Sequence, residues 1–303
     1  MKRKFFLTGL LLVFFICKTY SQTIESLRQK IQQVLSSKNA VVGVSIIGND
    51  GKDTLSINGE RHFPLQSVYK FFIALEVLSQ VDKGKFYMGQ KIKISKTDLL
   101  PNLYSPIRDK YPDGVTLAMS EILEYMVSES DNVACDVLLR QTGGPQVVED
   151  YFYKNGFKDL AIKTNEEWQQ AHWDIQFKNW TTPKQANEVL VSYYKNDEKQ
   201  LSKISYEFIW KVMKETKTGG KRLRGQLPEN TMVAHKTGSS GRNKDGVTAA
   251  VNDIGIIFMP NGQHYFISVF VTDSMEDGDA NEKIISDISR ATWDYFIGNL
   301  KYD

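Results

Sequence analysis

The sequence predicts an α+β fold, an α/β sandwich whose antiparallel five-stranded sheet is built from both chain ends and flanked by helices. Apolar and alternating segments indicate two strands near the start and three near the end, at 40–47, 54–57, 231–235, 247–259 and 264–272. Most of the chain between these groups shows helical spacing. We therefore expect an all-helical lobe inserted between the two halves of one sheet.

The first 21 residues have the pattern of a secretory signal. Three cations, Lys2, Arg3 and Lys4, precede an apolar run from Phe5 to Cys17 that is too short to span a membrane. We expect residues 1–21 to be cleaved and the product to reach the periplasm.

The remainder, 22–303, is long enough for one domain with a large core. From the order of the predicted elements we assign 22–62 and 221–303 to an α/β lobe and 63–220 to a helical lobe.

Loss of the signal changes the charge balance. The chain has 38 Lys and Arg against 36 Asp and Glu, and the signal removes Lys2, Arg3, Lys4 and Lys18, which leaves 34 against 36, or −2. This balance does not favour nucleic acid or an anionic membrane as partner. We expect a monomer that acts on small molecules, with no membrane contact after cleavage.

The helices follow from apolar residues at spacings of three and four. They are predicted at 24–37, from Ser67 to about Val81, from Thr116 to 128, from 132 to Arg140, from Pro145, and at 182–195, 201–216 and 281–300. Thr116 or Ser120 is the expected cap of the third helix. The stretches 84–115 and 163–181 appear irregular, although three tryptophans in the second indicate an ordered loop packed on the body.

The chemistry centres on Gln66-Ser67-Val68-Tyr69-Lys70 at the head of an apolar helix. Residues three apart share a helix face, so the Lys70 amine can lie beside the Ser67 hydroxyl. A serine nucleophile needs a neighbouring base, and a buried lysine can lose its proton and act as one. The alternative is a capping serine followed by a surface lysine.

Two further motifs follow in order, Ser130-Asp131-Asn132 and Lys236-Thr237-Gly238. An earlier copy, Lys217-Thr218-Gly219, closes a predicted helix and runs into another glycine, which is typical of a C-cap. The later copy continues a strand, where backbone N–H groups and a cation can meet a carbonyl substrate. We therefore choose Lys236.

Together with Ser67 and Lys70, these motifs resemble the set found in serine β-lactamases and penicillin-binding proteins. The sequences around Ser67, Ser130 and Lys236 resemble class A β-lactamases, in particular the PER/VEB/CfxA branch. The resemblance covers nearly the whole mature chain and implies the serine β-lactamase/penicillin-binding-protein-like fold. It also implies hydrolysis of penicillins and cephalosporins, including extended-spectrum compounds, and antibiotic resistance.

The resemblance assigns the catalytic roles. It makes Ser67 the nucleophile, Lys70 the group that takes or relays its proton, and Ser130 the donor to the leaving nitrogen. The backbone N–H groups of Ser67 and Ser239 would form the oxyanion hole.

The resemblance also assigns substrate contacts. Asn132 would hold the side-chain amide, and Lys236 and Thr237 would receive the carboxylate. Arg222 matches an arginine that strengthens this carboxylate site, with a solvated surface residue as the alternative. Tyr104 matches the aromatic wall of the cleft, with core packing as the alternative.

The resemblance implies a base for deacylation in the loop Thr164–Trp180. Its register, fixed by the segment ending at Asn179, selects Glu166, with Glu167 as the competitor. The loop departs from the family pattern because Gln170 replaces the usual asparagine. Thr164 and Asn179 replace the arginine–aspartate pair that ties it shut, so we expect hydrogen bonds and tryptophan packing to hold it instead.

The sequence fits other functions less well than it fits a β-lactamase. A penicillin-binding protein or D,D-peptidase would share the motifs but lack the deacylating glutamate, and a non-hydrolysing β-lactam sensor would stay acylated. The histidines His62, His172 and His264 lack metal-ligand spacing, so we expect no metal and no cofactor. Cys135 lies in an apolar run and is interpreted as an inert core thiol.

Overall fold

The computed structural model describes residues 22–48 and 50–300. The predicted signal segment 1–21, Asn49 and residues 301–303 lie outside the described residues. Among the described helices, none is both long enough and apolar enough to cross a membrane.

The strands of the described residues include the five that were predicted and five others, all of which lie within 63–220. They are β1 (Val41–Gly48), β2 (Thr54–Ile57), β3 (Phe63–Pro64), β4 (Lys91–Ser95), β5 (Gly114–Ala118), β6 (Leu160–Ala161), β7 (Trp180–Thr181), β8 (Val233–Ser239), β9 (Val251–Phe258) and β10 (His264–Thr272). Contrary to the prediction, the inserted lobe is therefore not all-helical, because short strands pair between its helices. The main sheet has the order β2-β1-β10-β9-β8, and every neighbouring pair is antiparallel. This confirms the predicted sheet built from both chain ends.

The described helices cover the two faces of this sheet and the region between its halves. They are α1 (Ile24–Leu35), α2 (Tyr69–Asp82), α3 (Pro106–Lys110), α4 (Met119–Ser128), α5 (Asn132–Thr142), α6 (Pro145–Lys154), α7 (Glu166–Ala171), α8 (Pro183–Lys195), α9 (Lys203–Lys214) and α10 (Gly278–Gly298). Short 3₁₀ turns occur at Gln66–Val68, Lys96–Asp98 and Trp173–Lys178.

The sheet separates two apolar cores because side chains alternate along each strand. On β10, Tyr265 and Ile267 join the core that contains α1 and α10. Phe266 and Phe270 on the other face join the larger core around α2. The site therefore rests on a sheet that is covered on both sides.

Helix α2 is the centre of the helical region. Every residue from Tyr69 to Gln80 is buried, as expected for a helix that is apolar around most of its circumference. It is preceded by the 3₁₀ turn Gln66–Val68, which contains Ser67. Ser67 therefore lies just before the α-helix rather than at its first turn, and Lys70 lies within the first turn.

The prediction of an irregular 84–115 segment was wrong. Strands β4 and β5 pair antiparallel there, with Thr116 opposite Lys93. Because Thr116 is held in this strand, α4 begins only at Met119, and neither Thr116 nor Ser120 caps it. The Glu121 carboxylate accepts the Ala118 N–H at 2.6 Å and takes that role.

Strand β8 is longer than predicted and carries the Lys236-Thr237-Gly238 motif to the edge of the sheet. At Gly238 it passes against the turn that holds Ser67. A Cβ atom at this position would lie 2.6 Å from the Leu65 carbonyl oxygen. The absence of a side chain therefore permits the close approach of β8 to the turn.

We expect Gly238→Ala to destabilise the fold by about 1–3 kcal/mol, because backbone must move to admit the methyl group. Gly241→Ala is the matched control, since no described heavy atom lies within 4 Å of a Cβ built there. Urea unfolding of both variants measures the effect. Equal stability of Gly238→Ala and the wild type would contradict the close approach of β8 to the turn that holds Ser67.

Candidate active site

Ser67 lies in a turn that is held from two sides. Gln66, just before it, has a left-handed φ of 47°, which is uncommon for a residue other than glycine. The Gln66 amide donates to Gln176 Oε1 at 2.7 Å, and Asn252 Nδ2 donates to the Pro64 carbonyl at 2.8 Å. These bonds fix the unusual backbone and so fix the direction of the Ser67 side chain.

Lys70 is fully buried, and its ammonium group is the centre of the site. Its Nζ donates to Ser67 Oγ at 2.9 Å, to the Ser130 carbonyl at 2.8 Å and to Asn132 Oδ1. Glu166 Oε1 lies 3.0 Å away and forms a buried ion pair with it. A single amine thus connects a hydroxyl nucleophile with a carboxylate.

Asp131 stabilises the conformation of the Ser130-Asp131-Asn132 motif, although its own side chain does not line the cleft. Its buried carboxylate accepts the Ser105 hydroxyl at 2.8 Å and the Ile107 N–H at 2.7 Å. It also caps α5, whose first residue is Asn132. Ser130, with a φ of 61°, lies between these anchors, so both Ser130 and Asn132 are directed toward Lys70.

Lys236 is the second buried cation of the site. Its Nζ donates to Ser130 Oγ at 3.0 Å and to the Thr237 carbonyl at 3.0 Å. Burial, followed by the nearby charge of Lys70, holds the pKa of Lys236 well below its usual range. The hydroxyl of Ser130 is therefore placed next to a group that can assist its proton transfer.

The earlier Lys-Thr-Gly copy lies beside the later one. Helix α9 ends at Lys214, so this copy is not the C-cap that we predicted. Lys217 is exposed and pairs with Glu129, whereas Thr218 Oγ1 meets Thr237 Oγ1 at 2.5 Å. The structure thus brings Lys236 to the site and leaves Lys217 outside it.

The two glutamates of the loop have different environments. Glu166 is 3% exposed and faces Lys70, whereas Glu167 is exposed to solvent. Both backbone N–H groups donate to the Asp136 carboxylate, at 2.8 Å and 3.0 Å. Asp136 therefore fixes the start of α7, and with it the position of Glu166.

Asn179 closes the loop without an ion pair between its ends. Its Oδ1 accepts the N–H groups of Lys163 and Thr164, at 2.7 Å and 3.0 Å, and its Nδ2 donates to the Thr164 carbonyl at 2.9 Å. Nearby, Trp180 stacks on His62 with ring centroids 3.5 Å apart. Within the described residues the prediction of hydrogen bonds and aromatic packing is confirmed, although Trp168 is exposed.

Arg222 is buried, so the alternative of a solvated surface arginine is wrong. Its guanidinium donates to the carbonyls of Gly238 and Asn252 at 3.0 Å and 2.9 Å, and to Ser239 Oγ at 2.6 Å. Glu282 pairs with its Nε at 3.1 Å. These four partners hold the cation at the end of β8.

These side chains surround a cleft of about 250 Å³. Tyr104 is 57% exposed and forms part of its wall, which excludes core packing. The sequence analysis did not place Thr218 and Gly219 at the cleft, although the earlier Lys-Thr-Gly copy that contains them was an available signal. The lining consists of Gln66, Ser67, Tyr104, Ser130, Asn132, Glu166, Gln170, Thr218, Gly219, Arg222, Thr237, Gly238 and Ser239.

Cys135 lies in the core next to the site. Its thiol is fully buried 3.1 Å from the Tyr69 hydroxyl, and burial raises the pKa of Cys135 well above the ordinary value. The described residues contain no group of three or more His, Cys, Asp or Glu side chains able to hold a metal ion.

The arrangement has the parts that acyl transfer through a serine requires. Ser67 has an amine beside it, Ser130 can pass a proton to a leaving group, and Glu166 can act on a water. Lys236 and Arg222 offer positive charge to an anionic substrate.

Asp136 also generates a prediction about pH. Burial, and then the charge of Glu166, raise the pKa of Asp136 from 3.8 to about 7. Between these values the folded protein holds a proton that the unfolded chain releases, so stability falls as pH rises. We expect the free energy of unfolding to fall more steeply from pH 4 to pH 7 in the wild type than in Asp136→Asn.

The slope contributed by one proton is at most about 1.4 kcal/mol per pH unit. Asp113→Asn, which changes an exposed carboxylate, is the control and should keep the wild-type slope. Urea unfolding across this range measures all three proteins. Parallel curves for the wild type and Asp136→Asn would contradict the prediction.

Comparison with known proteins agrees with this geometry. The model of the β-lactamase enzyme family matches residues 26–296. The chain is 51% identical over 295 residues to β-lactamase VEB-1 of Pseudomonas aeruginosa, covering 97% of this chain and 98% of that protein. It is 41% identical to the extended-spectrum β-lactamase PER-1 of the same species, with coverage of 90% and 88%.

Solved structures give the same result. The crystal structure of the TLA-1 extended-spectrum β-lactamase superposes with a TM-score of 0.88 at 48% identity, covering 91% of this chain and all of that one. A class A β-lactamase from Bacteroides cellulosilyticus superposes with a TM-score of 0.86 at 37% identity, covering 91% and 99%. The chain belongs to the β-lactamase enzyme family and is a class A serine β-lactamase.

Proposed function

We propose that this β-lactamase opens its substrates through an acyl-enzyme on Ser67, with Lys70 and Glu166 sharing the proton transfers. The observation that carries the proposal is the buried Lys70 amine, 2.9 Å from Ser67 Oγ and 3.0 Å from Glu166 Oε1. A serine hydroxyl reacts when a base stands within hydrogen-bond reach.

In acylation, the Lys70 ammonium first releases one proton, to Glu166 at 3.0 Å or to water. Ser67 Oγ then attacks the β-lactam carbonyl carbon as its own proton passes to the neutral Lys70 amine, 2.9 Å away. The backbone N–H groups of Ser67 and Ser239 stabilise the oxyanion, and both residues line the cleft. The carbon–nitrogen bond then breaks, the Ser130 hydroxyl protonates the leaving nitrogen, and Ser130 takes back the proton that Lys70 received from Ser67. The Lys236 amine, 3.0 Å from Ser130 Oγ, supports this transfer.

In deacylation, Glu166 takes a proton from a water that attacks the ester carbonyl. The water adds to the acyl carbon, the bond to Ser67 Oγ breaks, and Ser67 recovers its proton. Burial of Glu166 beside Lys70, and of its backbone N–H against Asp136, supports this role over one for the exposed Glu167.

Substrate recognition combines positive charge with amide groups. Thr237, Lys236 and Arg222 receive the substrate carboxylate. The two cations among them, Lys236 and Arg222, are buried, one in β8 and the other against its end. Asn132 and Gln170 bind the amide side chain, and Tyr104 forms the wall of the cleft.

The substrates include extended-spectrum cephalosporins as well as penicillins. This is supported by the relatives at 41% and 48% identity, PER-1 and TLA-1, both of which are described as extended-spectrum enzymes. The enzyme acts as a monomer in the periplasm after removal of residues 1–21, and its activity confers resistance. The mature chain is divided into two lobes: residues 63–220 form the helical lobe, and the rest of the mature chain forms the α/β lobe.

We expect Ser67→Ala to abolish acylation while the fold is kept, because the variant lacks the attacking oxygen. Intact-protein mass spectrometry after exposure to a β-lactam measures the adduct, and thermal unfolding checks the fold. The exposed Ser36→Ala is the control and should be acylated like the wild type. A covalent adduct at full occupancy on Ser67→Ala would contradict the assignment of Ser67 as the nucleophile.

Glu166→Ala should form the acyl-enzyme and then stall, because acylation can proceed through Lys70 while the deacylating base is missing. Turnover should fall by about 10²–10⁴. Glu167→Ala, which removes an exposed carboxylate, is the matched control and should retain most of its turnover. Burst amplitude and steady-state rate decide the case, and the opposite behaviour of the two variants would move the base to Glu167.

A further inference from the structure

A second cavity lies between the 163–178 segment and the helices α5 and α6. It encloses about 520 Å³, which is within the range of small-molecule sites. Among the described residues, none lines both this cavity and the catalytic cleft. We call it the rear cavity, and its walls include Asp136, Leu139, Arg140, Lys163, Trp168, Ile175 and Lys178.

The rear cavity combines apolar surface with positive charge. Leu139 and Ile175 contribute aliphatic surface, and the Trp168 indole is 58% exposed although it lies beside them. An exposed tryptophan next to a concave apolar surface offers a stacking face to a ring.

The charges of the rear cavity favour an anion. Lys178 is exposed and has no carboxylate partner in the described part of the chain. Arg140 and Lys163 also line the cavity, and their partners, Asp98 and Glu149, lie outside its lining. Because Arg140 and Lys163 are each paired with a carboxylate, Lys178 is the cation that the cavity offers to one negative group of a flat ligand.

The acidic member of the lining has another role. Both oxygens of Asp136 are occupied by the N–H groups of Glu166 and Glu167. Asp136 therefore connects the cavity wall to the residue that lies 3.0 Å from Lys70. An anion in the cavity would favour the protonated form of Asp136, and a protonated carboxyl holds the two N–H groups of α7 less strongly than a carboxylate does.

We propose that the rear cavity is a second ligand site, for amphiphilic aromatic anions, and that its occupancy slows deacylation by displacing Glu166 through Asp136. The ligand class is an arene that carries a sulfonate or carboxylate. The ring packs on Trp168 and Ile175, and the acid group lies near Lys178. The effect on deacylation rests on the proposed function of Glu166, whereas the binding itself does not.

Binding is tested with 8-anilinonaphthalene-1-sulfonate on the mature enzyme, followed by its fluorescence. We expect one saturable site. Lys178→Glu and Trp168→Ala should each weaken it roughly tenfold, the size expected when a partly exposed charge or a stacking face is lost. Both residues are exposed, so far-ultraviolet circular dichroism and thermal unfolding should show an unchanged fold.

Lys93→Glu is the matched control, since it reverses an exposed lysine of β4 outside the cavity and should bind the probe like the wild type. The Ser67→Ala variant should also bind normally, which separates binding from catalysis. Absence of binding, or equal affinity in the wild type, Lys178→Glu and Trp168→Ala, would overturn the site.

The effect on the reaction is tested by steady-state hydrolysis of a chromogenic cephalosporin at several probe concentrations. Slower deacylation lowers kcat and KM together, so we expect kcat to fall at least about threefold while kcat/KM is unchanged. Mass spectrometry at steady state should show a larger fraction of acylated Ser67. A fall in kcat/KM with constant kcat would mean competition in the cleft, and unchanged kcat at saturating probe would refute the coupling.

Discussion

The structure depends on the burial of one positive charge, the ammonium group of Lys70. An isolated buried ammonium costs several kcal/mol, so the fold must supply partners for it. Four oxygens do so, from Ser67, Ser130, Asn132 and Glu166. An ammonium has three hydrogens for these four oxygens. Lys70 can therefore release one proton and still be held in place by the remaining hydrogen bonds.

This requirement explains why distant segments converge. The partners of Lys70 come from the turn before α2, from the start of α5, and from the loop that begins α7. Each segment is fixed by a polar group behind it, which is Asn252 for the turn, Asp131 for α5 and Asp136 for the loop. The geometry of the cluster therefore depends on buried side chains that do not touch the substrate.

The loop shows how amides can replace a salt bridge. Asn179 is fully buried, and its side chain both accepts and donates, so it satisfies three backbone groups at one end of the loop. A carboxylate in its place could only accept. Closure of this loop is therefore less sensitive to salt than closure by an ion pair would be. Glu166 is positioned by these neutral hydrogen bonds as well as by its ion pair with Lys70.

The sheet and the local motifs could be predicted from the sequence because they depend on short-range patterns. The i, i+3 spacing placed Lys70 beside Ser67, and the resemblance of the loop to that of class A β-lactamases selected Glu166. The β4–β5 pair was missed although Ile92 and Ile94 alternate with lysines, because Pro101, Pro106 and Pro112 between the two strands indicated an irregular segment.

Contacts between distant segments could not be predicted from local pattern. The contact of Thr218 with Thr237 and the burial of Arg222 under β8 join residues that are far apart in the chain. These contacts depend on how the edge strand β8 packs on the segment after α9, and the earlier Lys-Thr-Gly copy is the signal for this packing that the sequence offers.

The central claim is that one buried cluster performs both halves of the reaction, so that the acyl-enzyme forms and is then hydrolysed. The most direct measurement mixes the wild-type enzyme with a large excess of a chromogenic cephalosporin and counts product per enzyme while mass spectrometry follows the Ser67 peptide. The account predicts many equivalents of product and only a transient adduct. Release that stops after one equivalent, with a lasting adduct on Ser67, would contradict it.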